Sequence, residues 1–173
     1  SDNAAKAACR TAQGGLAPPS AKFSHTVSDA KDAFGRNAKD EAGLAGLPPE
    51  VVAAARAAAQ KDGKPGWKLT LQMPCYLPVQ AYADDRALRE TLYRANAVRA
   101  SELGGNEALD NSALIDRILA LRMELAGMLG LDSYAPYSLA TKMPDTPDEV
   151  LRFLRDRPAR AKPSAQRDRA ATD

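Results

Sequence analysis

An apolar stripe with helical spacing is the feature that most restricts how this chain can fold. Leu114, Ile118, Leu121, Leu125 and Met128 recur at steps of four and three residues, which places them on one side of an α-helix. Similar but shorter stripes predict further helices over residues 23–38, 48–61, 85–98 and 146–157. The sequence therefore predicts a mainly α-helical protein.

Only one segment has clear strand character. Residues 67–73 alternate apolar and polar side chains, which predicts a short strand, and residues 79–83 form either a second strand or an extended entry to the next helix. Residues 1–22 are expected to be a loose lead-in, because two glycines and two prolines would break a helix there. Pro158 is expected to end the last helix, which leaves residues 157–173 as a basic, solvated or disordered tail.

Composition excludes several classes of protein. The 24 Lys and Arg residues nearly balance 22 Asp and Glu residues, and the net charge of +2 does not indicate nucleic acid as a partner. No apolar run reaches the roughly 18 residues of a membrane span, and the first residues do not resemble a secretory signal. Two distant cysteines, Cys9 and Cys75, predict free thiols, with Cys75 buried. We therefore expect a cytoplasmic protein.

The histidine count restricts the chemistry further. His25 is the single histidine of the chain and no Cys-x-x-Cys pair accompanies it, so three protein ligands for a catalytic zinc ion cannot be assembled. No glycine-rich phosphate loop and no serine or cysteine nucleophile turn is present. The sequence therefore predicts no catalytic, cofactor-binding or metal-binding residue. Four arginines, at positions 86, 89, 94 and 99, are interpreted as a solvated or salt-bridged surface.

Several blocks of sequence resemble one enzyme family. Residues 66–83 read GWKLTLQMPCYLPVQAYA and are followed by LRETLYRA at 88–95, DNS at 110–112, ILALR at 118–122 and YSLATKM at 137–143. Together with residues 23–30 and 44–48, these blocks are collinear with the oligopeptidase A and thimet oligopeptidase family of zinc metallopeptidases. The bacterial oligopeptidase A branch is the most similar part of that family. The resemblance extends over residues 23–156 and weakens in residues 1–22.

This resemblance implies a portion of a large, helical, two-lobed enzyme whose lobes flank a channel for short peptides. In the family, a His-Glu-x-x-His helix and a further glutamate hold zinc, and none of these residues has a counterpart here. The resemblance implies that residues 23–156 form part of the N-terminal lobe and contribute a wall of the channel.

The implied function is that of a portion of a cytoplasmic zinc metalloendopeptidase acting on short oligopeptides. Its expected partners are peptides and the missing catalytic half, without nucleic acid or membrane. The alternatives are a fragment of a peptidyl-dipeptidase and a stand-alone helical binding module.

Overall fold

The computed structural model describes residues 2–172, in which helices dominate. The α-helices are α1 (Asp2–Ala33), α2 (Pro49–Lys61), α3 (Met73–Tyr82), α4 (Arg86–Ala97), α5 (Ser112–Met128), α6 (Tyr134–Leu139) and α7 (Pro147–Ala170). Short 3-10 turns cover Ala42–Leu44, Glu102–Gly104 and Glu107–Leu109, and the strands are β1 (Arg36–Ala38) and β2 (Trp67–Leu69). The predicted mainly α class, with short strands only, is confirmed.

The chain divides into two compact units. One unit comprises residues Ala17–Ile118, and the other combines the start of α1, up to Leu16, with the chain from Leu119 onward. The core of the first unit contains side chains from α2, β2, α3 and α4, and its most deeply buried members are Leu69, Leu71, Val79 and Leu92. Burial of such side chains stabilises a fold by about 1.5–3 kcal/mol each. In the second unit, Ala12, Leu121, Leu125 and Ala126 are buried.

A two-stranded antiparallel sheet completes the first unit. Arg36 pairs with Leu69, Asn37 with Lys68 and Ala38 with Trp67, and α2 packs on β2. The predicted helix over residues 23–38 is therefore wrong at its end, because α1 stops at Ala33 and β1 follows. The pairing partner lies about thirty residues away in sequence, and helical spacing does not report such a partner.

The predicted strand from residue 67 is confirmed only as far as Leu69. The alternation continues to Met73, but α3 begins there, with Pro74 in its first turn, where a missing N–H is tolerated. The prediction that residues 79–83 are extended is wrong, because Val79 to Tyr82 are helical. The apolar character of α3 on all sides conceals its helical period, which explains the wrong prediction.

Two predicted helix breaks are also wrong. Helix α1 runs through Pro18 and Pro19, and the expected loose lead-in is helical over the part of it that the structure describes. Helix α7 runs through Pro158 and Pro163 to Ala170. A proline removes one intrahelical hydrogen bond and costs about 3 kcal/mol. In α1 and α7 the neighbouring alanine, lysine and arginine residues, which have high helix propensity, oppose that cost.

Helix ends follow the sequence closely. Asp85 caps α4, because its Oδ1 accepts the N–H of Ala87 at 2.8 Å. Thr146 caps α7 through its Oγ1, which accepts the N–H of Glu149 at 3.2 Å. Gly130, at φ +68°, ends α5, and the N–H of Leu131 returns to the carbonyl of Ala126 at 2.9 Å. These three predicted caps are confirmed.

The turn before α5 is also held by a side-chain cap, formed by Asp110. The Oδ1 of Asp110 accepts hydrogen bonds from the hydroxyl of Ser112 at 2.7 Å and from its N–H at 2.8 Å. These bonds to the charged form lower the pKa of Asp110 below its ordinary value of 3.8. A carboxyl group with a lowered pKa in the folded state stabilises the protein above its ordinary pKa, and this contribution is lost as the pH falls through the lowered pKa.

We expect Asp110→Asn to be less stable than the parent chain at pH 7 and to differ less from it near pH 3, where the carboxyl groups become protonated. Urea midpoints of both chains at the two pH values measure this. Ser112→Ala removes the hydroxyl that donates to Asp110. In a chain that carries this substitution, Asp110→Asn should therefore cause a stability loss that depends less on pH. A difference of equal size at both pH values would contradict the prediction.

Candidate functional site

Within residues 2–172, the single histidine belongs to no cluster of candidate metal ligands. His25 is exposed on α1. Among residues 2–172, no group of three or more histidine, cysteine, aspartate or glutamate side chains is placed to hold a metal ion. A zinc site needs three protein ligands around one point. The side chains of this part of the chain therefore do not fit a zinc site.

The two cysteines are free and half-buried. The Sγ of Cys75, at the start of α3, accepts a hydrogen bond from the N–H of Thr70 at 3.3 Å and so stabilises the turn between β2 and α3. The sequence predicts a buried Cys75, and the structure leaves it partly accessible while it packs against the core. This contact gives Cys75 a structural role.

Three of the four arginines at positions 86, 89, 94 and 99 make bonds within the chain. Arg94 forms an ion pair with Glu90 at 2.8 Å, and Arg89 donates to the carbonyls of Ala83 and Asp84. Arg99 donates to the backbone carbonyl of its neighbour Asn96 and, at 2.7 Å, to the side-chain oxygen of the same residue. The interpretation of this row as an intramolecular polar surface is confirmed for these three residues. A nucleic-acid site would instead direct such groups towards phosphates.

A cavity of about 230 Å3 lies beside the end of α4. Its walls are mostly apolar, and Arg99 and Asn106 contribute the polar groups. The lining residues are Ala30, Ala33, Phe34, Leu71, Ala95, Val98, Arg99, Ala100, Gly104, Asn106 and Leu109. Ala100 has a left-handed backbone, with φ +55°, and its carbonyl accepts the N–H of Asn111 at 3.1 Å. The cavity contains no pair of acid and base groups and no nucleophile, so its chemistry is limited to holding a small apolar group.

Asn111 has a role that its position before α5 does not reveal. Its side chain is 1% exposed, and its Nδ2 donates to the carbonyl of Phe23 on α1 at 3.0 Å. The sequence predicts a helix cap from residues 110–112, whereas Asn111 connects two helices across the unit. A contact between residues 88 positions apart leaves no local signal in the sequence.

A second cavity, of about 510 Å3, lies between α2 and the turn before it. Its polar members are Glu41 and Arg56, and the guanidinium of Arg56 lies 5.8 Å from the centre of the Trp67 ring. The indole Nε1 of Trp67 is buried without a hydrogen-bond acceptor. Asp62 and Lys68 form an ion pair at 2.6 Å, and the bond from Lys68 lowers the pKa of Asp62. Neither this cavity nor the Asp62–Lys68 ion pair provides a catalytic set of groups.

Large apolar side chains are exposed on α5. The predicted stripe is buried at Ile118, Leu121 and Leu125, but Met128 remains 46% exposed. Ile115 and Leu119 of α5, and Leu129 directly after it, are also exposed, at 42% to 56%. Exposed apolar surface of this kind is typical of a face that binds another molecule. No helix within residues 2–172 is long and apolar enough to cross a bilayer.

Comparison with known proteins identifies the family. The model described as Peptidase family M3 matches residues 79–172. Oligopeptidase A of Salmonella typhimurium is 47% identical over 150 residues, which cover 86% of this chain and 22% of that protein. The Escherichia coli oligopeptidase A matches with the same identity and coverage. The dipeptidyl carboxypeptidase of Escherichia coli is 33% identical over 136 residues, which are 78% of this chain and 20% of that protein.

The chain spans about a fifth of the length of these curated relatives. The matched family model covers more than half of the chain, and the identity to oligopeptidase A extends over most of it. Both findings agree with the resemblance of residues 23–156. The chain therefore belongs to peptidase family M3 and corresponds to the N-terminal region of that family.

Proposed function

We propose that this chain forms one wall of the peptide-binding channel of a zinc endopeptidase that hydrolyses short oligopeptides, and that the zinc-binding residues lie outside these 173 residues. The observation that carries the proposal is the 47% identity to oligopeptidase A over 86% of the chain. At that level of identity, two chains share a fold and the positions of most core residues. The contribution of this chain would be to bind and orient a peptide beside a catalytic portion.

The donor chemistry supports the non-catalytic role. A hydrolytic zinc ion polarises a carbonyl group or activates a water molecule, and this requires ligands that hold it in an open coordination site. His25 is exposed and belongs to no group of three or more candidate ligands among residues 2–172. No hydrolytic step is therefore assigned to a residue of this chain.

The surface of α3 and α4 suits a peptide-binding role. Met73, Leu77, Tyr82 and Tyr93 keep 44% to 60% of their surface exposed although they are large and apolar. Such side chains bind the apolar groups of a short peptide and need no charged partner. We propose that they contribute to the channel wall.

A peptidyl-dipeptidase is the second candidate, because the dipeptidyl carboxypeptidase of Escherichia coli is 33% identical to the chain. The higher identity to oligopeptidase A favours the endopeptidase. A cytoplasmic location is proposed on the same basis: one relative, from Arabidopsis thaliana and 43% identical, is named a probable cytosolic oligopeptidase A. A second relative from that plant is named organellar, so location varies among the relatives.

The first test is the zinc content of the purified chain. After dialysis against buffer without zinc, we expect much less than one zinc ion per chain and no peptide hydrolysis, because three protein ligands are missing. Metal analysis and cleavage of a fluorogenic peptide measure this. Stoichiometric zinc together with hydrolysis that a chelator abolishes would contradict the proposal.

The second test is reconstitution. The chain is mixed with a separately purified catalytic portion of oligopeptidase A that carries the His-Glu-x-x-His helix. We expect the two to co-elute on gel filtration and to recover chelator-sensitive peptidase activity. His25→Ala is the matched control and should reconstitute as well as the parent chain, because His25 is exposed and has no role in the proposal. Failure to co-elute and to restore activity would favour a stand-alone binding module.

A further inference from the structure

The cavity beside the end of α4 extends from the core to the surface. Its lining residues all belong to the unit Ala17–Ile118, and they come from the end of α1, the turn after β2, the end of α4 and the turns that follow α4. Leu71 is its most deeply buried member, at 1% exposed, whereas Gly104 and Asn106 are exposed. A molecule from solvent can therefore reach apolar walls inside this unit.

The volume of the cavity limits the size of its ligand. An apolar cavity of about 150 Å3 binds a benzene molecule. The volume of about 230 Å3 found here therefore suits a ligand on the order of ten non-hydrogen atoms, such as a ring with a short chain. Sites for drug-sized molecules are larger, at about 300–1,000 Å3. Phe34, Val98 and Leu109 supply the large apolar side chains of the wall.

The wall contains one charged residue, the partly buried Arg99. Its Nη1 donates to the backbone carbonyl of Asn96 and, at 2.7 Å, to the Oδ1 of the same residue. Within residues 2–172, Nε and Nη2 have no acceptor and no carboxylate pairs with this guanidinium. A partly buried cation without a counter-charge favours an anion, because charge-assisted hydrogen bonds compensate for lost hydration.

The other polar side chain of the wall is also left with a donor. The Oδ1 of Asn106 accepts the N–H of Ala108 at 3.1 Å, whereas its Nδ2 donates to no group within residues 2–172. The carbonyl of Ala100 is engaged as well, because it accepts the N–H of Asn111 at 3.1 Å. The polar end of the cavity therefore offers donors and favours a ligand with acceptor oxygens over a cationic ligand.

We infer that this cavity binds a small apolar monocarboxylic acid, with its apolar group against Phe34, Val98 and Leu109 and its carboxylate on Arg99 and Asn106. One guanidinium balances one negative charge, and its planar donors match a carboxylate. Such a group is either a free acid or the carboxyl end of a peptide, and the wall selects the chemistry that the two share. This inference goes beyond the proposed function and does not depend on it.

The experiment titrates the full chain, labelled with 15N, with 3-phenylpropanoate and with its amide, 3-phenylpropanamide. The two molecules have nearly the same shape and differ in charge. Shifts of the backbone amide signals of Ala100, Gly104 and Leu109 in NMR spectra measure binding at the cavity. We expect saturable shifts and a dissociation constant at least about tenfold lower for the acid than for the amide. Acetate, which has the charge without the ring, should bind much more weakly than 3-phenylpropanoate.

Substitution of Arg99 tests the selection by charge. Arg99→Gln should bind the acid and the amide about equally, and the retained binding of the amide would show that the cavity is still formed. Arg94→Gln is the matched control, because Arg94 also lies on α4 but is exposed and pairs with Glu90 outside the wall. It should keep the preference for the acid.

Substitution of Ala30 tests the location. Ala30→Leu adds side-chain atoms at the wall and should prevent binding of both molecules. Ala21→Leu makes the same change at an exposed position of α1 outside the wall and should leave binding unchanged. Circular dichroism at 222 nm verifies that both variants are folded.

A further titration, with N-acetyl-glycyl-phenylalanine, distinguishes the two sources of the carboxylate. Tighter binding than that of 3-phenylpropanoate assigns the cavity to the carboxyl end of a peptide, and weaker binding assigns it to a free acid.

Four results would overturn the inference. The first is the absence of saturable shifts with 3-phenylpropanoate, and the second is equal binding of acid and amide to the parent chain, which would mean that the cavity accepts apolar groups without regard to charge. The third is a preference for the acid that Arg99→Gln retains. The fourth is binding of acetate as tight as that of 3-phenylpropanoate, which would show a surface anion site without an apolar part.

Discussion

Replacement of Leu92 by alanine is expected to lower the free energy of unfolding by about 3 kcal/mol. Leu92 is 0% exposed on the inner face of α4 and belongs to the core of the unit Ala17–Ile118. Removal of its side-chain methyl groups leaves a cavity that the surrounding residues fill only in part. Urea unfolding, followed by circular dichroism at 222 nm, measures the loss.

Leu103→Ala is the matched control for this substitution. Leu103 lies in the turn Glu102–Gly104 and is 70% exposed. The same change of side chain should cost less than about 0.5 kcal/mol there. Equal losses at the two positions would contradict the description of Leu92 as a core residue.

Gly46→Ala is expected to destabilise the chain by about 3 kcal/mol or more. Gly46 has φ +86°, and a Cβ atom there would lie 2.2 Å from the carbonyl oxygen of Tyr82. The backbone cannot move away easily, because the N–H of Asp84 donates to the carbonyl of Ala45 at 2.9 Å. The midpoint of thermal unfolding measures the effect.

Gly63→Ala separates the two causes of this destabilisation. Gly63 has φ +66°, but no atom lies within 4 Å of the position that a Cβ atom would take there. Alanine at this position meets only the left-handed backbone penalty, about 1 kcal/mol. If both variants lost the same stability, close contact at Gly46 would not be the cause.

The caps of the helices are predictable from the sequence because their signals are local. Asp85, Thr146 and Gly130 each act within a few residues of their own position. The strand β1 is not predictable in this way, since its partner is β2. The prediction that this chain has no zinc-binding or catalytic residues depends on its single histidine. That count is a property of the sequence and does not depend on the fold.

Proline residues lead to wrong predictions at both ends of the chain. A helix that ends at Pro158 leaves the basic residues Arg160, Lys162, Arg167 and Arg169 in a tail without regular structure. In the structure these residues instead belong to α7, which continues to Ala170.

The bond from Asn111 to the carbonyl of Phe23 has a consequence for synthesis in the cell. Phe23 leaves the ribosome long before Asn111 does, since 88 residues separate them. Until Asn111 is synthesised, the carbonyl of Phe23 lacks this hydrogen-bond donor. Formation of a contact across 88 residues is also slow. A nascent chain that does not yet extend past Asn111 therefore presents an unfinished surface, on which chaperones can act before the unit closes.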